Sequence, residues 1–132
     1  RRNWVKENPE RAKEISKKAM AKWRLKPGYR YQAIKRNCKK KNKELLITKE
    51  EFIRWFEAES KQCFYCGVTE EISKSKKDKV LEIDRMDNSK GYFLGNIVLA
   101  CFICNGTKSN LLNWEEAMFI GRNVINKKWV TI

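Results

Sequence analysis

Leu81-Glu82-Ile83-Asp84-Arg85-Met86-Asp87-Asn88-Ser89-Lys90-Gly91-Tyr92-Phe93-Leu94-Gly95-Asn96-Ile97-Val98-Leu99-Ala100-Cys101-Phe102-Ile103-Cys104-Asn105 is the stretch on which the fold turns. Two short apolar runs, Val80 to Asp84 and Asn96 to Ala100, flank the turn-forming Asn88-Ser89-Lys90-Gly91, so the segment reads as an antiparallel hairpin with a broad loop. Cys101 and Cys104 follow the second run directly, and a helix is expected over Asn105 to Asn110. Upstream, Cys63 and Cys66 show the same spacing, with 34 residues between the two pairs. Two Cys-x-x-Cys knuckles offer four thiolates that close tetrahedrally on one zinc and leave no water position, so the implied site is structural. The competing reading, buried or disulfide-bonded cysteines at chance spacing, leaves one of the five cysteines over. Zinc here would tie the end of the aromatic helix that precedes Cys63 to the end of the hairpin, which stabilises a core this small.

Working outward, Thr48-Lys49-Glu50-Glu51 is a capping box that opens a helix carrying Phe52, Trp55 and Phe56 on one stripe. Asn113-Trp114-Glu115-Glu116 repeats the pattern and starts a last helix through Ala117, Met118, Ile120 and Val124. Thr69 to Lys79 is Lys-rich without an apolar period and reads as loop. Near the start, Asn8 as N-cap and Pro9 at the first position open a helix with Ala12, Ile15, Ala19 and Trp23 at helical spacing, closed by Pro27-Gly28. A second helix is expected from Tyr29 to about Lys43, with Ala33, Ile34 and Cys38 on one side and Arg30, Lys35, Arg36, Lys39, Lys40, Lys41 and Lys43 over the rest. Charge this dense repels itself, so the helix is expected to be ordered best on phosphate. Cys38 reads as a small core residue whose pKa the basic neighbours would lower.

The 132 residues, 42% of them hydrophobic, are one domain's worth of chain with a modest core. Of the net charge of +14, the first 44 residues carry 17 basic and 4 acidic side chains, and the remainder is near neutral. That asymmetry predicts a basic helical nucleic-acid-binding arm over residues 1–47 and a zinc-stapled domain over 48–132. The longest apolar stretches fall far short of the ~20 residues a membrane span needs, and the expectation is a soluble, intracellular protein with no membrane partner. The chain contains no His, the side chain that most often serves as general base at neutral pH.

The strand ending in Asp84, the loop Gly91, Asn96 before the second strand, and the run Cys101-x-x-Cys104-Asn105-x-x-Lys108 occur in the order seen in HNH endonucleases, the ββα-metal or His-Me finger family. The sequence resembles the zinc-knuckle, phage-type version of that family over about half its length, Cys63 to Lys108. The resemblance implies an α+β chain: a small zinc-stapled ββα-metal fold preceded by basic helices, of phage or virus origin. It implies a Mg²⁺ or Mn²⁺ ion held by Asp84 and Asn105, in positions where the family has Asp and His, with Asn96 orienting the loop. An Asn carbonyl can take the His place on a hard cation. Arg85 stands where the family has its base, and a guanidinium stays protonated. Asp87 and Tyr92 are then the candidate proton acceptors, Arg85 the stabiliser of phosphate charge, and Lys108 joins the basic helix as a nucleic-acid contact.

Two functions follow. One is a metal-dependent endonuclease that hydrolyses DNA phosphodiesters, most naturally in duplex DNA; the other is a catalytically degenerate zinc module that binds DNA or structured RNA without cutting. A bound Mg²⁺ lowers the pKa of its water, which reduces the need for His.

Overall fold

The computed structural model describes residues 2–132. Strands β1 (Glu82–Arg85) and β2 (Ile97–Ala100) pair antiparallel as the expected hairpin, Glu82 opposite Ala100 and Arg85 opposite Ile97, with the first strand starting two residues later than the run from Val80 and ending one later. Before them come α1 (Arg2–Glu7), α2 (Pro9–Arg24), α3 (Pro27–Lys41), α4 (Lys49–Ala58) and α5 (Glu70–Lys77). After them come α6 (Phe102–Lys108) and α7 (Trp114–Ile120), which runs through a π turn at Gly121–Ile125 into α8 (Asn126–Thr131).

Both capping boxes form: Thr48 with Glu51 starts α4, and Asn113 with Glu116 starts α7. Other boundaries differ from the sequence reading. Pro27 opens α3 as its first residue instead of closing α2, and Asn42, in the left-handed region, ends α3 two residues earlier than expected. Asn8 makes no capping bond; its amide turns back to the Trp4 carbonyl at 3.1 Å. The segment expected as loop over Thr69–Lys79 contains α5, because Thr69 caps it, Glu70 and Glu71 occupy its first turn and lysines its last. Charge placement along the helix axis substitutes there for an apolar period.

Two cores carry the fold. One gathers the four knuckle cysteines with Tyr65, Leu81, Leu99, Ala117, Ile125 and Trp129; the other gathers Tyr31, Ile47, Phe52 and Ile97. The second core crosses the boundary expected at residue 47: Tyr31 of α3 is buried and donates its hydroxyl to the Ile47 carbonyl at 2.8 Å. Tyr31, with Ile34 packed beside it, seats α3 on this core. By contrast α2 buries none of its residues, and Ile15 and Trp23 lie exposed.

Two glycines mark close backbone approaches. A Cβ on Gly91 would lie 2.2 Å from the Glu44 carbonyl oxygen, which is how Tyr92 pairs with Leu45 beside the hairpin loop. A Cβ on Gly121 would lie 2.7 Å from the Tyr65 backbone, so the π turn lets the last helix lie against the first knuckle. Gly121→Val is therefore expected to lower stability by ~2 kcal/mol or more, read as a drop in the chemical denaturation midpoint at unchanged slope.

Candidate active site and zinc knuckles

Each knuckle turns the way its spacing dictates. The Cys66 N–H points at Cys63 Sγ at 3.5 Å and the Cys104 N–H at Cys101 Sγ at 3.4 Å, so each first sulfur accepts from the turn it opens. The Phe64 N–H donates to the Leu99 carbonyl, docking the first knuckle on β2. All four sulfurs are buried and lie within 4.8 Å of one another, and Cys66 and Cys101 stand 3.7 Å apart. A tetrahedron with ~2.3 Å zinc–sulfur bonds has edges of about 3.8 Å, so the quartet fits the ion. Electrostatics point the same way. Hydrogen bonding from Cys101, then Cys104 and Cys66, pulls the Cys63 thiol down, while bonding to Cys101, Cys63 and Cys66 pushes Cys104 up. A quartet of thiols cannot ionise together unless a cation offsets the charge. Cys38 lies apart from them, and burial raises its thiol pKa against the opposing pull of Arg85, the reverse of the lowering expected from its lysine neighbours.

Strand alternation turns Glu82 and Asp84 to one face of β1, toward α6. Asn105, in the first half of α6, meets them there, its amide nitrogen 3.1 Å from Glu82 Oε1. That orientation leaves its carbonyl oxygen without a hydrogen bond among the described residues. Asp84 is buried, and its Oδ2 accepts from the Tyr65 hydroxyl at 2.5 Å. Burial raises its pKa, opposed by the Tyr65 bond and by Lys108. Its Oδ1 has one partner among the described residues, the Lys108 ammonium at 3.5 Å. Two carboxylates and an amide oxygen on one face suit a hard divalent cation. Tyr65 and Glu82 escaped the sequence reading: an aromatic inside a knuckle reads as core, but the two-residue step from Asp84 was a usable signal for Glu82.

Arg85 leaves the strand on the other side. Its Nη1 donates to the carbonyls of Asn88 and Lys90, and its guanidinium lies over the Tyr92 ring at 5.3 Å. Asn96 is buried and holds the loop: its amide oxygen accepts from the Asp87 N–H, and its nitrogen donates to the Asp87 and Gly91 carbonyls. Asp87 Oδ1 accepts from both the N–H and hydroxyl of Ser89, and those bonds, hydroxyl first, lower its pKa. Asp87 therefore caps a turn, and burial raises the Tyr92 hydroxyl pKa.

Lys108 is a correction to the expected nucleic-acid contacts: it is fully buried and bonded within the protein. Arg30 is half-buried, packed over the Phe56 ring with Nη2 on the Leu81 carbonyl at 2.6 Å, and it lines the same cleft as Arg36 and Lys40. Lys35, Arg36, Lys39, Lys40, Lys41 and Lys43 are exposed. Arg36 and Lys40 line an open cleft of about 710 Å³ with Arg24 and Tyr29, whose far wall is Glu82, Ile83 and Tyr92. The basic helix and the strand bearing the acidic pair thus share one groove.

No protein-family profile matches the chain. Over 97 residues it is 33% identical to uncharacterised protein R423 of Acanthamoeba polyphaga mimivirus, an alignment that takes in 74% of this chain but 16% of that protein's length. The solved structure of PacI, a rare-cutting HNH restriction endonuclease described by its mechanism of DNA perturbation, matches with a TM-score of 0.71 at 32% identity, over 80% of each chain. The chain belongs to the HNH endonuclease family. As an HNH protein it has the family's hairpin and helix joined by four cysteines that can bind zinc, and no described helix is long and apolar enough to cross a membrane. Purified protein is expected to contain one zinc per chain by elemental analysis. Cys63→Ser should lose the metal and lower the melting temperature by about 10 °C or more, on the order of 2–4 kcal/mol of stability.

Proposed function

We propose that this chain is a divalent-ion-dependent endonuclease that hydrolyses phosphodiester bonds in duplex DNA. The observation that carries the reading is the acidic face of the hairpin, where Asn105 bonds to Glu82, two residues before the buried Asp84, and Glu82 itself forms part of the wall of a groove lined by Arg24, Arg36 and Lys40. PacI, similar in fold and sequence, is an endonuclease. Asp84 and Asn105 would hold Mg²⁺ or Mn²⁺; when bound, the ion supplies charge at the phosphate and acidifies water.

The protein's own residues do the rest. Lys35, Arg36, Lys39 and Lys40 bind the phosphate backbone and displace its counterions. Arg85, anchored by two loop carbonyls and backed by Tyr92, presents its remaining N–H groups to the scissile phosphate, where negative charge develops. Asn96 fixes the loop that aims it. Glu82 is the proton acceptor on the acidic face, since its one side-chain hydrogen bond among the described residues comes from Asn105.

The closure of Asp84 by Tyr65 and Lys108 favours the second reading, a module that binds without cutting. Supercoiled plasmid incubated with Mg²⁺ or Mn²⁺ separates the two. Endonuclease activity predicts nicking by the parent, a loss of ~100-fold or more in Asp84→Ala with DNA affinity retained, and a ~10-fold or larger loss in Arg85→Ala with unchanged ion dependence. A parent inert with every divalent ion, made active by Arg85→His, establishes the binding module. In either case, replacing Lys35, Arg36, Lys39 and Lys40 by Ala should reduce the slope of log K against log salt by about 0.9 for each phosphate that is no longer neutralised, measured by fluorescence anisotropy on a duplex.

A further inference from the structure

Lys108 closes α6 with no exposed surface, although a lysine is among the side chains least often buried whole. Its ammonium is surrounded by oxygen. The Arg85 carbonyl lies at 2.8 Å, Asn88 Oδ1 at 3.0 Å, Asp84 Oδ2 at 3.4 Å and Asp84 Oδ1 at 3.5 Å. These ligands come from the strand end and from the loop that follows it. The same Asn88 amide is held at its nitrogen as well, where Nδ2 donates to the Ser109 carbonyl at 2.6 Å. Ser109 reaches that position with φ at 44° and ψ at −137°, a region that costs a non-glycine residue conformational energy. The chain thus accepts strain one residue beyond Lys108 while the cage is held closed.

An ammonium at this point does two things at once. It compensates a buried carboxylate that would otherwise be desolvated without a partner. It also places a positive charge against the oxygens that a divalent ion would use, and two cations in so small a space repel.

We propose that Lys108 is the resident counter-cation of the acidic face, a positioning residue that fixes Asp84, Arg85 and Asn88 and weakens divalent-ion uptake by competing for the Asp84 carboxylate. This rests on the reading of Asp84 as an ion ligand. Lys108→Met keeps an unbranched side chain one atom shorter and removes the charge. In that variant the ion binds more tightly, while the Arg85 backbone loses its tether and turnover slows. Lys108→Arg keeps the charge and the donors.

The test uses zinc-loaded full-length protein without DNA, titrated with Mn²⁺, with free ion counted by electron paramagnetic resonance. Lys108→Met should bind Mn²⁺ roughly ten-fold more tightly than the parent, and Lys108→Arg within about two-fold of it. In cleavage assays Lys108→Met should lose about ten-fold in kcat with KM for DNA little changed. Equal or weaker Mn²⁺ binding by a folded Lys108→Met overturns the proposal and leaves the ion site standing. No ion bound by either protein overturns the ion site and the proposal together. If Lys108→Met does not fold, nuclear magnetic resonance of the parent decides: the Lys108 ammonium signal should move in step with Mg²⁺ saturation, and a signal that stays still through saturation overturns the proposal.

Discussion

Four buried sulfur atoms within 4.8 Å of one another join a turn at residues 63–66 to the start of α6, and the positions of the remaining elements follow from that junction. The hairpin has two strands, which on their own are marginal in water. Closing both knuckles on one ion would connect the hairpin's end to the turn 34 residues upstream and remove that freedom from the unfolded chain. The π turn and Gly121 then lay the last helix against the same knuckle, with Arg122 Nη2 reaching the Phe64 carbonyl at 3.3 Å. The four-cysteine corner is therefore also a packing centre of the larger core.

Tyr65 carries this rigidity to the chemistry. It sits inside the first knuckle with no exposed surface, and its hydroxyl ends on Asp84. On the other side Asp84 meets Lys108, which belongs to the helix opened by the second knuckle. One carboxylate is thus held between two elements that the cysteines hold together. A buried, partnered carboxylate keeps a defined direction at the expense of desolvation, and such groups concentrate at functional sites.

The basic helix meets this centre from outside. Tyr31 and Ile34 seat α3 on the second core, which leaves Arg36 and Lys40 facing a groove whose opposite wall is β1 and Tyr92. Arg30 of α3 packs over Phe56 and bonds to the carbonyl just before β1. The positive surface and the acidic face are held in fixed register by packing, which a flexible arm would not provide.

The hairpin, the knuckle spacing, both capping boxes and the resemblance to HNH endonucleases were legible in the residues, because each rests on a local period or on chemistry that a few neighbours specify. Asp84, Asn96 and Asn105 could be singled out for the same reason. What Asp87 does was not legible: a carboxylate beside Asn88 serves a turn or a site equally well, and only the bonds from Ser89 decide for the turn. Lys108 and Arg30 carry the same charge as their exposed neighbours, and a charge count cannot separate a solvated lysine from one enclosed by oxygens. Tyr65 and Glu82 entered the site because the knuckle and the strand meet α6 from two directions. That meeting depends on contacts between residues far apart in the chain, and it is the part that tertiary structure alone decided.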